Sequence, residues 1–172
     1  EGHHVHGVPA LINSLHRCGY RGLFVVGHRG PLPAWATGAA GDPARMDVDG
    51  IALVFVPLPQ TDATVALYKP WLMREVLDRF APEADGVAFL DADVVCVAPW
   101  RFFADWIAHA VVVAEDYSFP NVPPGHPWRR AWSALARECG YTVRQRADYF
   151  ISAFVGVPRA QRALVDAWWQ LA

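Results

Sequence analysis

Short apolar runs alternate along this chain with stretches whose apolar residues recur at helical spacing, and that alternation predicts the elements. VPALINSLHRC, residues 8–18, has the i, i+3, i+4 pattern, Pro9 in a first-turn position and Gly19 just past its end, so a first helix is expected there. GLFVVG at 22–27 and IALVFV at 51–56 are β-branched and aromatic and read as buried strands. The intervening RGPLPAWATGAAGDPARMDVDG is rich in Gly, Pro and Asp and reads as a long surface loop. KPWLMREVLDRF, with Pro70 near its start, predicts a second helix that stops before Ala81-Pro82.

Downstream the pattern continues with GVAFL as a strand, WRFFADWI as a short helix and AVVVAED as a strand ending in Glu115 and Asp116. A Pro-rich loop, PNVPPGHP, leads to the helix WRRAWSALARE, the strand DYFISAFVGV and a last helix, RAQRALVDAWWQLA. Strands and helices in alternation imply an α/β fold whose mostly parallel sheet is flanked by helices, as a single domain over 1–172. Cys18 and Cys139 each precede Gly-Tyr, and a shared helix stop with Gly19 and Gly140 as C-caps explains the repeat. No strand precedes the first helix and no glycine or proline stops the last, so the chain reads as an incomplete catalytic domain.

Composition narrows the classes. The chain has 172 residues, 53% hydrophobic and 19% charged, enough for one sizeable core. A net charge of −2 and a pI near 6.4 give no electrostatic footprint for nucleic acid or an anionic membrane. No apolar stretch approaches the roughly 20 residues of a membrane span, and EGHHVHG is not a signal peptide, so no transmembrane segment and a cytoplasmic location are expected. The three cysteines are odd in number and lack CxxC spacing, which indicates neither a disulfide framework nor a zinc site; they are expected to be buried thiols.

The chemistry concentrates in FLDADVV, residues 89–95. Asp91 and Asp93 stand where an apolar strand stops, and the C-terminal ends of strands are where open α/β sheets bind ligands. Two carboxylates one residue apart suit a hard divalent cation, Mn²⁺ or Mg²⁺, shared with substrate phosphates. Without the cation each unit-charge pair would repel a phosphate by roughly 4 kcal/mol at about 4 Å and an effective dielectric near 20. A pair of turn or capping aspartates is the plainer reading.

Lys69 is the chain's one lysine, and a compact ammonium suits phosphate contact. His3, His4 and His6 form an HHxH group of metal-ligand type that also fits a solvated terminus. Glu115 and Asp116 read as acceptor or sugar contacts, or as caps. Arg129 and Arg130 oppose the dipole at a helix start, which suggests a carboxylate partner such as Glu115 or Asp116. Most of the eight tryptophans are expected in the core, with Trp35 in the Pro-rich loop as the candidate for stacking on a sugar.

Taken in order, GVPALINSL, the YKP helix, FLDADVV and DYFISAFVGV resemble the nucleotide-sugar glycosyltransferases of the GT-A type, most nearly the retaining, family-eight-like group. The resemblance implies a Rossmann-like GT-A sheet, a nucleotide-diphospho-sugar donor, an unidentified acceptor, Mn²⁺ or Mg²⁺, and hexosyltransferase-like activity. It gives Asp91 to the ribose and the metal, Asp93 to the metal as its main ligand, and Lys69 to the diphosphate or the aspartates. His4 falls at the opening of the nucleotide pocket. Ile151 stands where the family carries asparagine and Ala153 where it carries glycine, which leaves Ser152 as the polar group toward the sugar.

Two other classes share the motif. DADVV fits the start of haloacid-dehalogenase-type phosphatases, with Asp91 as nucleophile and Asp93 as acid/base, although that motif ordinarily opens its domain. A noncatalytic nucleotide-sugar-binding module is the third.

Overall fold

A computed structural model describes residues 4–36, 38–144 and 146–172. His3 lies outside the described residues. The protein is mixed α/β. Helix α1 spans His4–Arg17, and strand β1, Gly22–His28, follows it. Next come β2, Ala44–Val48, and β3, Ile51–Pro57. Helix α2, Lys69–Glu75, runs on through a wider π turn, Val76–Phe80, into β4, Gly86–Leu90. The chain continues as α3, Trp100–His109; β5, Val112–Glu115; α4, Pro127–Glu138; β6, Phe150–Pro158; and α5, Ala163–Leu171.

The expected single, mostly parallel sheet is replaced, among the described residues, by two three-stranded sheets in the orders β1-β3-β2 and β4-β6-β5. Only β1 and β3 pair in parallel; β2 with β3, β4 with β6 and β5 with β6 are antiparallel. Two features of the sequence account for the difference. Asp49 and Gly50 both take positive φ, 49° and 81°, and so make the two-residue turn that folds β2 back on β3. The strand therefore arises inside the segment expected to be a loop. The second feature is β6, which enters between β4 and β5 from the opposite end.

Burial follows the apolar pattern. β3 is covered on both faces: Ile51, Leu53 and Phe55 pack with Ile12 of α1, while Val54 and Val56 pack with Leu72 of α2. On the second sheet Val87, Val155 and Val157 meet Met73 and Leu77 from α2 and its π turn, together with Val165 of α5. Helix α2 thus covers one face of both sheets. The facing edges of β1 and β4 border a cavity of about 420 Å³, closed on its other side by Leu15, Tyr20 and α3. Burial pushes the Tyr20 phenol up to about 12.

The caps behave as expected. After α1, Gly19 at φ +86° lets Tyr20 N–H reach Leu15 O at 2.9 Å; after α4, Gly140 at φ +84° lets Tyr141 N–H reach Ala136 O at 2.8 Å. The two Cys-Gly-Tyr sites are the same helix stop used twice.

Pro9 departs from expectation. It lies inside α1 rather than in the first turn. A proline there cannot donate to the carbonyl four residues back, and that group, Val5 O, instead accepts from Trp35 Nε1 at 3.0 Å. Trp35 is thus half-buried rather than exposed as expected, packed 5.6 Å from the Phe55 ring centroid, and it also lines the cleft at the ends of β1 and β4. The exposed tryptophans are Trp106, Trp128 and Trp132.

Candidate functional site

The apolar run of β4 ends at Leu90, but pairing with β6 carries one residue further, Asp91 N–H donating to Ala153 O at 2.9 Å. This fixes the Asp91 backbone at the C-terminal end of β4. The 91–96 segment is then held against α1 at two points. A Cβ on Gly7 would lie 2.0 Å from Ala92 O, so the first half of the helix reaches the segment only because residue 7 has no side chain. Further along, Cys96 N–H donates to Ser14 Oγ at 2.9 Å and Cys18 Sγ donates to Cys96 O at 3.3 Å. Burial pushes the Cys96 thiol up, and its contact with Cys18 acts in the same direction. Cys18 and Cys96 are half-buried free thiols, while Cys139 is exposed, against the expectation of three buried ones.

Three predicted site residues come together here. Lys69, at the start of α2, is only 9% exposed. Its Nζ lies 2.7 Å from Asp91 Oδ1 and 2.9 Å from Oδ2. The same ammonium donates to Ser152 Oγ at 3.1 Å and to Ser152 O at 3.2 Å, and it stands 5.1 Å from the Phe89 ring centroid. A buried cation persists only with such partners. The ammonium joins α2, β4 and β6 at a single point.

Asp93 does not enter this cluster. It is exposed and, with Asp91, borders a cleft of about 540 Å³ at the C-terminal ends of β1 and β4. His4 and Val8 of α1, Gly27 to Arg29 at the end of β1, and Tyr68 and Lys69 form the other walls. His4 and His6 are exposed at the start of α1. Among the described residues no three His, Cys, Asp or Glu side chains gather into a metal-ligand group. The carboxylates of Asp91 and Asp93 are hard oxygen donors of the kind that hold Mg²⁺ or Mn²⁺ jointly with phosphate oxygens, so the donor chemistry fits such an ion. With both Asp91 oxygens against Lys69, Asp93 is the more available ligand.

Other candidates have structural work. Arg129 donates to the carbonyls of Val122, Ala147 and Asp148, at 3.1, 3.3 and 2.8 Å, in place of the acidic partner expected for it. Asp116 Oδ1 accepts from Ser118 N–H and Phe119 N–H, which is turn capping. Glu115 is exposed at the end of β5.

Sequence reading missed Arg29. It follows β1 directly, lines the cleft and places its guanidinium 5.3 Å from the Tyr68 ring centroid. Its signal was the one that marked Asp91: a charged residue immediately past an apolar strand.

No family model matches the chain, and neither a curated protein nor a solved structure matches it. No described helix is long and apolar enough to cross a membrane.

Proposed function

We propose that the chain is a metal-dependent glycosyltransferase domain of GT-A type, taking a nucleotide-diphospho-sugar donor and passing the sugar to an acceptor hydroxyl. The observation that carries this reading is the Lys69–Asp91–Ser152 cluster at the C-terminal end of β4, beside exposed Asp93 in a cleft of about 540 Å³. In transfer, the bond from the anomeric carbon to the diphosphate oxygen breaks as a bond to the acceptor oxygen forms. Negative charge then grows on the leaving diphosphate, and fixed cations nearby stabilise it.

Lys69 is such a cation, and its burial keeps it in place without reorganisation. Asp93, with Asp91, would hold Mn²⁺ or Mg²⁺, which when bound neutralises the diphosphate. Ser152 Oγ, 3.1 Å from Lys69 Nζ, would be the polar group toward the sugar. His4 stands where α1 opens on the cleft and would meet the base or ribose. A phosphatase with Asp91 as nucleophile is less compatible with the geometry, because both carboxylate oxygens are engaged by Lys69.

Calorimetry with UDP and GDP tests the proposal. Wild type is expected to bind one of them markedly more tightly with Mn²⁺ than without it, and Asp93→Asn to lose that gain. Equal binding with and without Mn²⁺, or hydrolysis of an aryl phosphate abolished in Asp91→Asn, would sink it.

A further inference from the structure

Arg29 carries a structural anomaly. Its Nε and Nη2 are shut off from solvent, and neither has a hydrogen-bond partner. Buried N–H donors are ordinarily satisfied, and each one left without an acceptor is a cost to the fold. The two orphaned groups are also the particular pair that lies along one edge of the guanidinium plane. That edge grips a carboxylate or phosphate with two parallel hydrogen bonds, a geometry lysine cannot supply.

The surroundings define what the edge lacks. The guanidinium packs near the Tyr68 ring, and the Tyr68 hydroxyl is already engaged with Thr61 Oγ1 at 2.6 Å. Lys69, the next residue, is committed to Asp91 and Ser152. The salt bridges among the described residues do not include Arg29, although it lies at the C-terminal end of β1, on the wall of the cleft that Asp91 and Asp93 also border. The cleft thus holds a cation with two unmet donors and no protein acceptor for them.

We propose that Arg29 is an oxyanion-binding residue that closes on two oxygens of a ligand in this cleft, independently of any metal. On the reading of the cleft as a donor site, on which this assignment of the ligand rests, the oxyanion is the donor's diphosphate; a carboxylate on the transferred sugar presents the same two-oxygen edge. Because the donors are closed to solvent, the ligand has to displace the side chains that cover them, and its arrival satisfies groups otherwise without partners.

The test uses inorganic pyrophosphate and glucuronate as probes, in EDTA, with wild type, Arg29→Gln, Arg29→Lys and Asp93→Asn. Pyrophosphate is expected to bind Asp93→Asn at least as tightly as wild type, one repelling carboxylate being gone, and to bind both Arg29 variants at least about tenfold more weakly than wild type, the lysine failing for want of a fork. Arg29-dependent binding of glucuronate alone keeps the site and assigns it to a sugar acid. In unmutated protein the Nε–H resonance of Arg29 shifts on titration with the probe that binds, a readout that does not depend on the variants folding. Unchanged affinity for both probes in Arg29→Gln, or an Nε–H signal indifferent to both, overturns the proposal. Mn²⁺-dependent UDP or GDP binding is scored separately: its absence removes the transferase reading and leaves an Arg29-dependent pyrophosphate site standing.

Discussion

Two cations line one cleft and are treated in opposite ways. Lys69, on the wall built by α2, β4 and β6, is buried and meets a carboxylate, a hydroxyl and a carbonyl. Arg29, on the β1 wall, has two donors that meet nothing. The difference separates charge that holds the fold together from charge the fold leaves uncommitted. Lys69 is bound to its own structure, and under the proposed function it would act on a ligand as a fixed positive point. Arg29 has donors to give.

The sharpest way to break this contrast is to remove Lys69. Lys69→Met strands Asp91 beside a buried apolar side chain, and cutting one partner from a buried pair typically costs about 3–5 kcal/mol. Asp91 is 30% exposed and water screens it in part, so a loss of about 2–4 kcal/mol in urea unfolding is expected. Lys69→Met combined with Asp91→Leu should recover much of that loss. A single variant as stable as wild type would show that the cluster does not hold the wall.

Gly7→Ala probes the seat of the 91–96 segment on α1. The new methyl has to displace Ala92 O, and overpacking against backbone costs about 1–3 kcal/mol, more than the helix propensity it gains. Thermal melting should fall accordingly, and Asp93-dependent Mn²⁺ binding should weaken with it. A rise in melting temperature, as propensity alone dictates, would mean that α1 does not press on the 91–96 segment.

Arg29→Gln should do the reverse of Lys69→Met. Removing donors that have no acceptors leaves stability within about 0.5 kcal/mol of wild type or raises it by up to about 1 kcal/mol. A loss comparable to that of Lys69→Met would erase the distinction between the two walls.

Tyr20 supplies a control outside the cleft. The Tyr20 phenol is raised from 10.0 to about 12 in the folded chain, so the folded state holds a proton that the unfolded state gives up. Its contribution to stability is complete below pH 10 and is lost as pH rises toward 12, visible as a lower urea midpoint that Tyr20→Phe abolishes.

Much of the fold was legible in the chain because it depends on local pattern. Continuous apolar runs marked β1, β3 and β4, and Gly19 and Gly140 marked two helix stops. The β2 hairpin was missed although Asp49-Gly50 spelled its turn, since the Pro- and Gly-rich segment before it outweighed the short alternation in ARMDV. Pro9 was misplaced because its compensation, the Trp35 indole on Val5 O, comes from thirty residues away.

The sequence by itself determined where charge would sit: Asp91, Asp93 and Lys69 each interrupt apolar patterning at a strand end or a helix start. Tertiary structure alone decided who meets whom. Lys69 and Asp91 are joined across 22 residues, and Lys69 and Ser152 across 83. Strand order, the reversed entry of β6 and the unmet edge of Arg29 belong to the same kind of information. Burial and pairing are properties of distance in space, and a one-dimensional pattern records only which residues are available to be brought together.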